Sequence, residues 1–342
     1  MKNYYCIAEK FSILVDCPVS DSVGKYIDKQ FKDYRFSFPK YPVLCSLYAV
    51  SENNIDYQSR ELVKDWFYET SDSLLLKFNS QYLHIRLNSE TFEIYYPYDF
   101  ENVVVFHTLE VLVRLYCHKY GIDFFHASSF EYNDTIFMLN GFGGSGKTEI
   151  MLDFLLRDAS FISDDLLIIN ENAEIYPYTV EIPIAWRSVT PELADKNGIS
   201  RRLYDICKYC FKKNGRITRR LFGRLAGKYF TRNYYYRELT PKETDFRYFS
   251  IDHCVWLQEA NFSGPFSFSP DNLYEYMDLC LTNESRKYFD LEGFILLKYP
   301  FVKRFISKRQ ALRKEICSKL PITGLAVKER DYKTAARILK LQ

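Results

Sequence analysis

In the first third of the chain, apolar and polar positions alternate with a period of two. Leu83, Ile85 and Leu87 are interleaved with His84 and Arg86, the pattern of a strand with one buried face, and His84 falls on the solvent side. The apolar runs Ser73–Phe78, Tyr82–Leu87 and Thr91–Tyr96 are separated by Asn79-Ser80 and Asn88-Ser89, which predicts a β-meander. Residues 1 to about 100 therefore read as a strand-rich region of α+β character.

The period then lengthens. Leu109, Leu112, Val113 and Tyr116 recur at three- and four-residue spacing, which predicts an amphipathic helix over Val103–Tyr120, closed by Gly121. His107 and His118 near its ends read as helix-face or terminal residues. The runs Phe124–Phe130 and Thr135–Leu139, joined by Glu131-Tyr132-Asn133-Asp134, predict a hairpin. Helical spacing through Ile150, Phe154 and Leu155 predicts a helix over Lys147–Arg157, followed by a strand over Phe161–Ile169.

Further on, residues 201–237 read as helical, Cys254–Leu257 and Phe294–Leu297 as strands, and Pro270–Leu281 and Asp331–Leu341 as helices. The expected organisation is a strand-rich region 1–100 and an α/β domain 101–342 with a helical insert at about 190–245.

Composition narrows the class. With 46 Lys and Arg against 44 Asp and Glu, the chain has a formal charge of +2, not the bias of a nucleic-acid-binding protein. No apolar run approaches the roughly 18–20 residues that span a bilayer, and the first ten residues lack the pattern of a signal peptide. The nine cysteines are scattered, so reduced thiols in the cytoplasm are expected. The pair Cys207 and Cys210 has no second pair to complete a zinc site and reads as two free thiols.

The chemistry lies between the hairpin and the next strand. Gly141-Phe142-Gly143-Gly144-Ser145-Gly146-Lys147-Thr148 satisfies G-x-x-x-x-G-K-[ST] at every defined position. Glycines at 141, 143, 144 and 146 let the backbone curl until its N–H groups, with that of Ser145, face phosphate oxygens. The helix beginning near Lys147 adds its positive end, Lys147 a charge for the β- and γ-phosphates, and Thr148 a hydroxyl for Mg²⁺. Asp164 and Asp165 then stand side by side in an apolar run, where carboxylates need a cation or hydrogen bonds. One is expected to hold Mg²⁺ and the other to take a proton from an attacking hydroxyl.

From Phe125-His126-Ala127 through Gly141–Glu149 to Asp164-Asp165, the chain resembles the catalytic core of the HPr kinase/phosphorylase family. The resemblance rests on the loop, on Glu149 directly after its Thr, on the 17 residues from Lys147 to Asp164, and on a His opening the preceding hairpin. It covers roughly residues 105–187. It implies a PEP-carboxykinase-like P-loop α/β fold, with ATP and Mg²⁺ as cofactors. By position it implies Lys147, Glu149 and the loop amides at the nucleotide, Thr148 and Asp165 at Mg²⁺, Asp164 as the base, and His126 beside the transferring phosphoryl group.

The family's later signature, an acid followed by Arg-Gly-x-Gly, is absent. The nearest stretch is Val180–Arg187, where Glu181 is a candidate for the metal and Arg187 for a phosphate. The chain is thus similar to the divergent kinases of the family, which include peptide-tailoring and small-molecule serine kinases.

Residues 201–237 carry 12 Lys or Arg against one acid, Asp205. Helical spacing would put Arg216, Arg219, Arg220 and Arg224 on one face. A solvated surface, a dock for an acidic peptide or protein, and a contact for anionic lipid or nucleic acid all remain open. The expected activity is transfer of a γ-phosphoryl group to a serine-type hydroxyl of a peptide or protein. A small-molecule kinase and a non-catalytic nucleotide-binding module are the alternatives, and a homo-oligomer is left open.

Overall fold

The computed structural model describes residues 2–51, 61–64, 67–69, 73–88, 90–178, 182–184, 191–196, 200–212, 232–234, 236–240, 242–287, 291–299, 302–328 and 331–340. The chain has mixed α/β content and divides into two compact units interleaved in sequence. The first comprises Met1–His126, Ile168–Tyr176 and Ser269–Leu320; the second comprises Ala127–Leu167, Pro177–Phe268 and Pro321–Gln342.

In the first unit a nine-stranded sheet runs in the order Arg35–Phe36, Lys2–Ile7, Phe11–Asp16, Val43–Val50, Thr91–Pro97, Gln81–Asn88, Ser73–Phe78, Phe67–Glu69, Glu61–Lys64. The expected meander is its second half: Ser73↔Arg86 and Ile85↔Ile94 pair antiparallel. His84 is half-buried rather than solvent-facing, with its ring 5.7 Å from that of Tyr95 on the neighbouring strand. The helix Asn102–Cys117 packs on this sheet and buries most of its circumference, so its apolar stripe is wide.

Two segments return to this unit from far along the chain. Ile168–Tyr176 brings a short hairpin, and Ser269–Leu320 brings helices that include Pro270–Lys287, Leu291–Lys298 and Arg309–Lys319. The domain boundary expected near residue 100 thus lies elsewhere: the helix after it belongs with the N-terminal strands. The strand expected at Phe294–Leu297 is part of the helix Leu291–Lys298. A four-residue apolar run has no period of its own, and burial of a helix produces it as readily as burial of a strand.

The second unit is built on a six-stranded mixed sheet in the order Ser160–Ser163, Ser128–Tyr132, Thr135–Gly141, His253–Ala260, Ile322–Lys328, Gly264–Phe266. The central three pairings are antiparallel, parallel and parallel. The predicted hairpin is present, and its turn residues Asn133 and Asp134 have φ of 52° and 59°, the left-handed pair of a tight two-residue turn. The helices Lys147–Leu155 and Tyr332–Lys340 pack together on the sheet. Ile150, Phe154, Val255, Leu325, Ala335 and Leu339 lie in their common core.

Two expected strands are each broken in two, and the pieces lie in different sheets. Phe124–Phe130 divides into Ile122–Phe125 and Ser128–Tyr132, with His126 and Ala127 between them. Phe161–Ile169 divides into Ser160–Ser163 and Leu167–Asn170. The second break falls on the acidic pair: Asp165 takes φ +65°, and the Leu166 N–H bonds the Asp164 carbonyl at 2.8 Å, so the strand cannot continue.

The basic stretch is not one continuous helix. Arg201–Lys212 is helical, but Arg232–Tyr234 is a strand that pairs with Ile182–Ile184. Glu181, Arg187, Arg216, Arg219, Arg220 and Arg224 lie outside the described residues. Among the described residues, no helix is long and apolar enough to cross a membrane.

Candidate phosphate-binding site

Strand register assembles the site at one end of the second unit's sheet. The strand Thr135–Gly141 runs directly into the glycine loop, and Gly141 lies beside Leu257 of the parallel neighbour. On its other side Ser128 pairs with Leu139, and the next strand pairs Ser129 with Ser163. That register brings Ser128 to Asp164, one residue beyond the strand end. Carboxyl ends of parallel strands are where α/β sheets commonly form ligand crevices.

The loop's shape explains its glycines. At Gly141 (φ +148°) an added Cβ would lie 2.6 Å from Ser145 Oγ and 2.7 Å from the Leu257 carbonyl oxygen. At Gly146 (φ +95°) it would lie 2.0 Å from Cε1 of Tyr332. Around Gly143 and Gly144, by contrast, an added Cβ would meet nothing within 4 Å, so the middle of the loop borders open space. Ser145 N–H closes the turn on the Phe142 carbonyl at 2.9 Å. The Ser145 hydroxyl is buried without a hydrogen-bond partner among the described residues.

Lys147 opens the helix Lys147–Leu155, is only 7% exposed, and donates to the Gly141 carbonyl at 2.8 Å. Its ammonium is therefore held against the loop rather than released to solvent. Thr148 donates to Asp164, with Oγ1 3.1 and 3.2 Å from the two carboxylate oxygens. Glu149 sits in the first helical turn, where the helix dipole favours an acid.

Asp164 is 4% exposed and also accepts a short hydrogen bond from the Ser128 hydroxyl. Burial raises its pKa to about 6, and the neighbouring Asp165 charge adds to the rise; the Ser128 and Thr148 hydroxyls and the Lys147 charge oppose it only in part. Asp165 is exposed. The Thr148 hydroxyl, expected to share a metal with Asp165, bonds Asp164, and Asp165 stands in the left-handed turn that follows the strand.

These features suit a polyphosphate and a divalent cation. The loop borders open space, presents an unpaired buried hydroxyl, and holds a buried ammonium. Asp164 is a buried carboxylate with too little positive charge around it. Among the described residues no three His, Cys, Asp or Glu gather as a metal cage. The fitting set is instead a hydroxyl and one or two carboxylates, the sparse protein ligation that Mg²⁺ accepts when phosphates and water complete its shell.

His126 is half-buried in the connection two residues before Ser128. An aromatic group flanks the loop: the Phe142 ring, 58% exposed, meets Trp256 edge-on at 5.4 Å, and Trp256 stacks on Phe268 at 4.5 Å. Two site residues were not singled out from the sequence. Ser128 sits close to His126 but reads as an ordinary strand serine until the register faces it with Asp164. Tyr332 lies 188 residues from Gly144, and no local pattern joins them. No protein-family model matches the chain, and a search of curated proteins finds no match.

Proposed function

We propose that the protein is an ATP- and Mg²⁺-dependent phosphotransferase that moves the γ-phosphoryl group to a serine-type hydroxyl of a peptide or protein, on a PEP-carboxykinase-like P-loop core like that of the HPr kinase/phosphorylase family. One observation carries the reading. The glycine loop of the phosphate-binding pattern carries a Thr148 hydroxyl that bonds a buried carboxylate, Asp164, whose charge Lys147 and two hydroxyls compensate only in part.

The loop amides and Lys147 hold and orient the phosphates, so much of the catalysis is positioning and charge neutralisation. A hydroxyl has one donor and two acceptor sites, so Thr148 can keep its bond to Asp164 while a lone pair faces the cation, with Asp165 as a further carboxylate. When bound, Mg²⁺ supplies neutralisation of the β- and γ-phosphate charge. Asp164, with a pKa near 6, is suited to take the acceptor's proton at neutral pH. His126 is assigned beside the phosphoryl group by its place in the motif. Of the basic stretch left open as an acceptor dock, the helix Arg201–Lys212 is described; it exposes Arg201, Arg202, Leu203 and Ile206.

The test uses purified protein with Mg-ATP and measures both nucleotide binding and loss of γ-phosphate. Wild type is expected to bind and turn over, while Lys147→Ala loses turnover and binds more weakly. Equal turnover in the two proteins would overturn the reading.

A further inference from the structure

The C-terminal helix carries no part of the glycine-loop motif, yet it touches the loop. Tyr332, its first residue, donates its hydroxyl to the Gly144 carbonyl at 3.1 Å. The same ring fills the space that a Cβ on Gly146 would occupy. At the other end of the helix, Lys340 reaches Asp153 at 3.3 Å and lies 4.8 Å from the centre of the Phe154 ring. The first residue of one helix thus meets the loop that begins the other, and the last residue of one meets the last turn of the other. The two helices therefore run side by side in the same direction. Ala335, Ala336 and Leu339 are buried in the core that the two helices share with the sheet.

We infer that Tyr332 is a positioning residue of the nucleotide site, and that through it the C-terminal helix holds the glycine loop in its phosphate-receiving form. The inference rests on the nucleotide-binding reading above. The loop's middle borders open space at Gly143 and Gly144, where no side chain packs against the position of a Cβ. Glycine-rich backbone has many alternatives, and a loop that must be ordered on binding loses affinity to that ordering. A hydroxyl fixed to the Gly144 carbonyl sets the orientation of that peptide plane. The ring over Gly146 limits the backbone at the last glycine before Lys147. Coupling runs both ways: phosphates that require this loop shape stabilise the Tyr332 contact, and through it the first turn of the helix.

The experiment compares wild type, Tyr332→Phe and Tyr332→Ala. The readouts are affinity for a fluorescent ATP analogue with Mg²⁺, thermal melting without ligand, and hydrogen exchange over residues 332–340 with and without nucleotide. Tyr332→Phe keeps the ring packing and loses one hydrogen bond. It is expected to melt as wild type, bind about fivefold more weakly, and lose much of the nucleotide-induced protection of the helix. Tyr332→Ala is expected to bind weaker still. If Tyr332 only packs, Tyr332→Phe will match wild type in both affinity and induced protection, and the inference is overturned while the nucleotide reading stands. If wild type binds no nucleotide, the reading and the inference fail together.

Discussion

Asp123 in the first unit and Asp164 in the second are both buried aspartates, and these two are treated in opposite ways. In the first unit Asp123 accepts from Arg313 Nε at 2.8 Å and from the Phe124 N–H at 2.8 Å, and lies 2.9 Å from His118 Nε2. Arg313 is itself buried and has a second carboxylate, Asp278, at 2.7 Å. Burial alone would raise the Asp123 carboxyl, but His118 and Arg313 outweigh it and hold the group well below the usual carboxylate range. In the second unit Asp164 is buried to a similar degree, and its direct hydrogen bonds come from two hydroxyls, with another carboxylate as its chain neighbour. Its shift runs upward.

The difference separates a brace from the proposed reactive site. A buried charge with full compensation joins distant segments, here the strand Ile122–Phe125 with the helices Arg309–Lys319 and Pro270–Lys287. A buried charge left short of compensation costs stability and is kept where a cation or proton must come and go.

The largest expected effect is on transfer. Asp164→Asn keeps the shape and can still accept from Ser128 and Thr148, but an amide cannot take the acceptor's proton. Phosphoryl transfer should fall by about 10²–10⁴-fold, with nucleotide affinity changed far less. Asp123→Asn should leave the transfer rate of the folded protein unchanged. Transfer assays on the two variants check this, and an equal loss in both would erase the distinction between brace and site.

Stability should show the reverse. Asp123→Asn removes one of the two carboxylates that hold the buried Arg313 guanidinium among the described residues, and such one-sided removals cost about 3–5 kcal/mol. Denaturant melts followed by a probe in the first unit measure this loss. Arg313→Met should cost less, because His118 and the Phe124 N–H still hold Asp123. If either variant melts like wild type, the network is not a brace.

Asp164 supplies an opposite pH dependence. Its folded pKa is raised, so the folded state holds its proton more tightly than the unfolded chain does. The associated stability is full below about pH 4, is lost as pH rises from 4 to 6, and is flat above. Asp123 behaves inversely: its contribution is present above the ordinary carboxylate pKa and is lost as the solution becomes more acidic than that. With metal and nucleotide removed by chelation and dialysis, Asp164→Asn should therefore melt higher than wild type at pH 7. A shift from 3.8 to about 6 corresponds to at most about 3 kcal/mol. The gain should vanish near pH 4, and a gain that is independent of pH would point to altered packing instead.

How much of this was legible in the sequence follows from range. The glycine loop, its helix and the acidic pair are local, and each residue type has a reason visible within a few positions. The hairpin turn at Asn133-Asp134 was legible for the same reason. What escaped was set by contacts across long separations. The Ser128 pairing with Asp164 depends on strand register, and the Tyr332 contact with Gly144 on the packing of two helices. The return of Ser269–Leu320 to the first unit leaves no local mark, since its helices have ordinary helical patterns. The broken strand at Asp164 also escaped, because Leu166–Ile169 continues the apolar run and hides the turn that Asp165 makes.

The smallest expected effect isolates the contribution of Asp165. It is exposed and has φ +65°, a region that Asn enters more readily than most residues, so Asp165→Asn should change stability by less than about 0.5 kcal/mol. The substitution removes a negative charge adjacent to Asp164, and that charge helps to raise the Asp164 pKa. The Asp164 carboxyl should then titrate below its wild-type value, followed by carbon-detected NMR of the metal-free protein. Burial is the larger cause and is untouched, so the titration should stay above the ordinary carboxylate range. A return to that ordinary range would mean that repulsion from Asp165, rather than burial, sets Asp164 apart from Asp123. An unchanged midpoint would mean that solvent fully screens the exposed neighbour, leaving burial alone as the source of the site's charge imbalance.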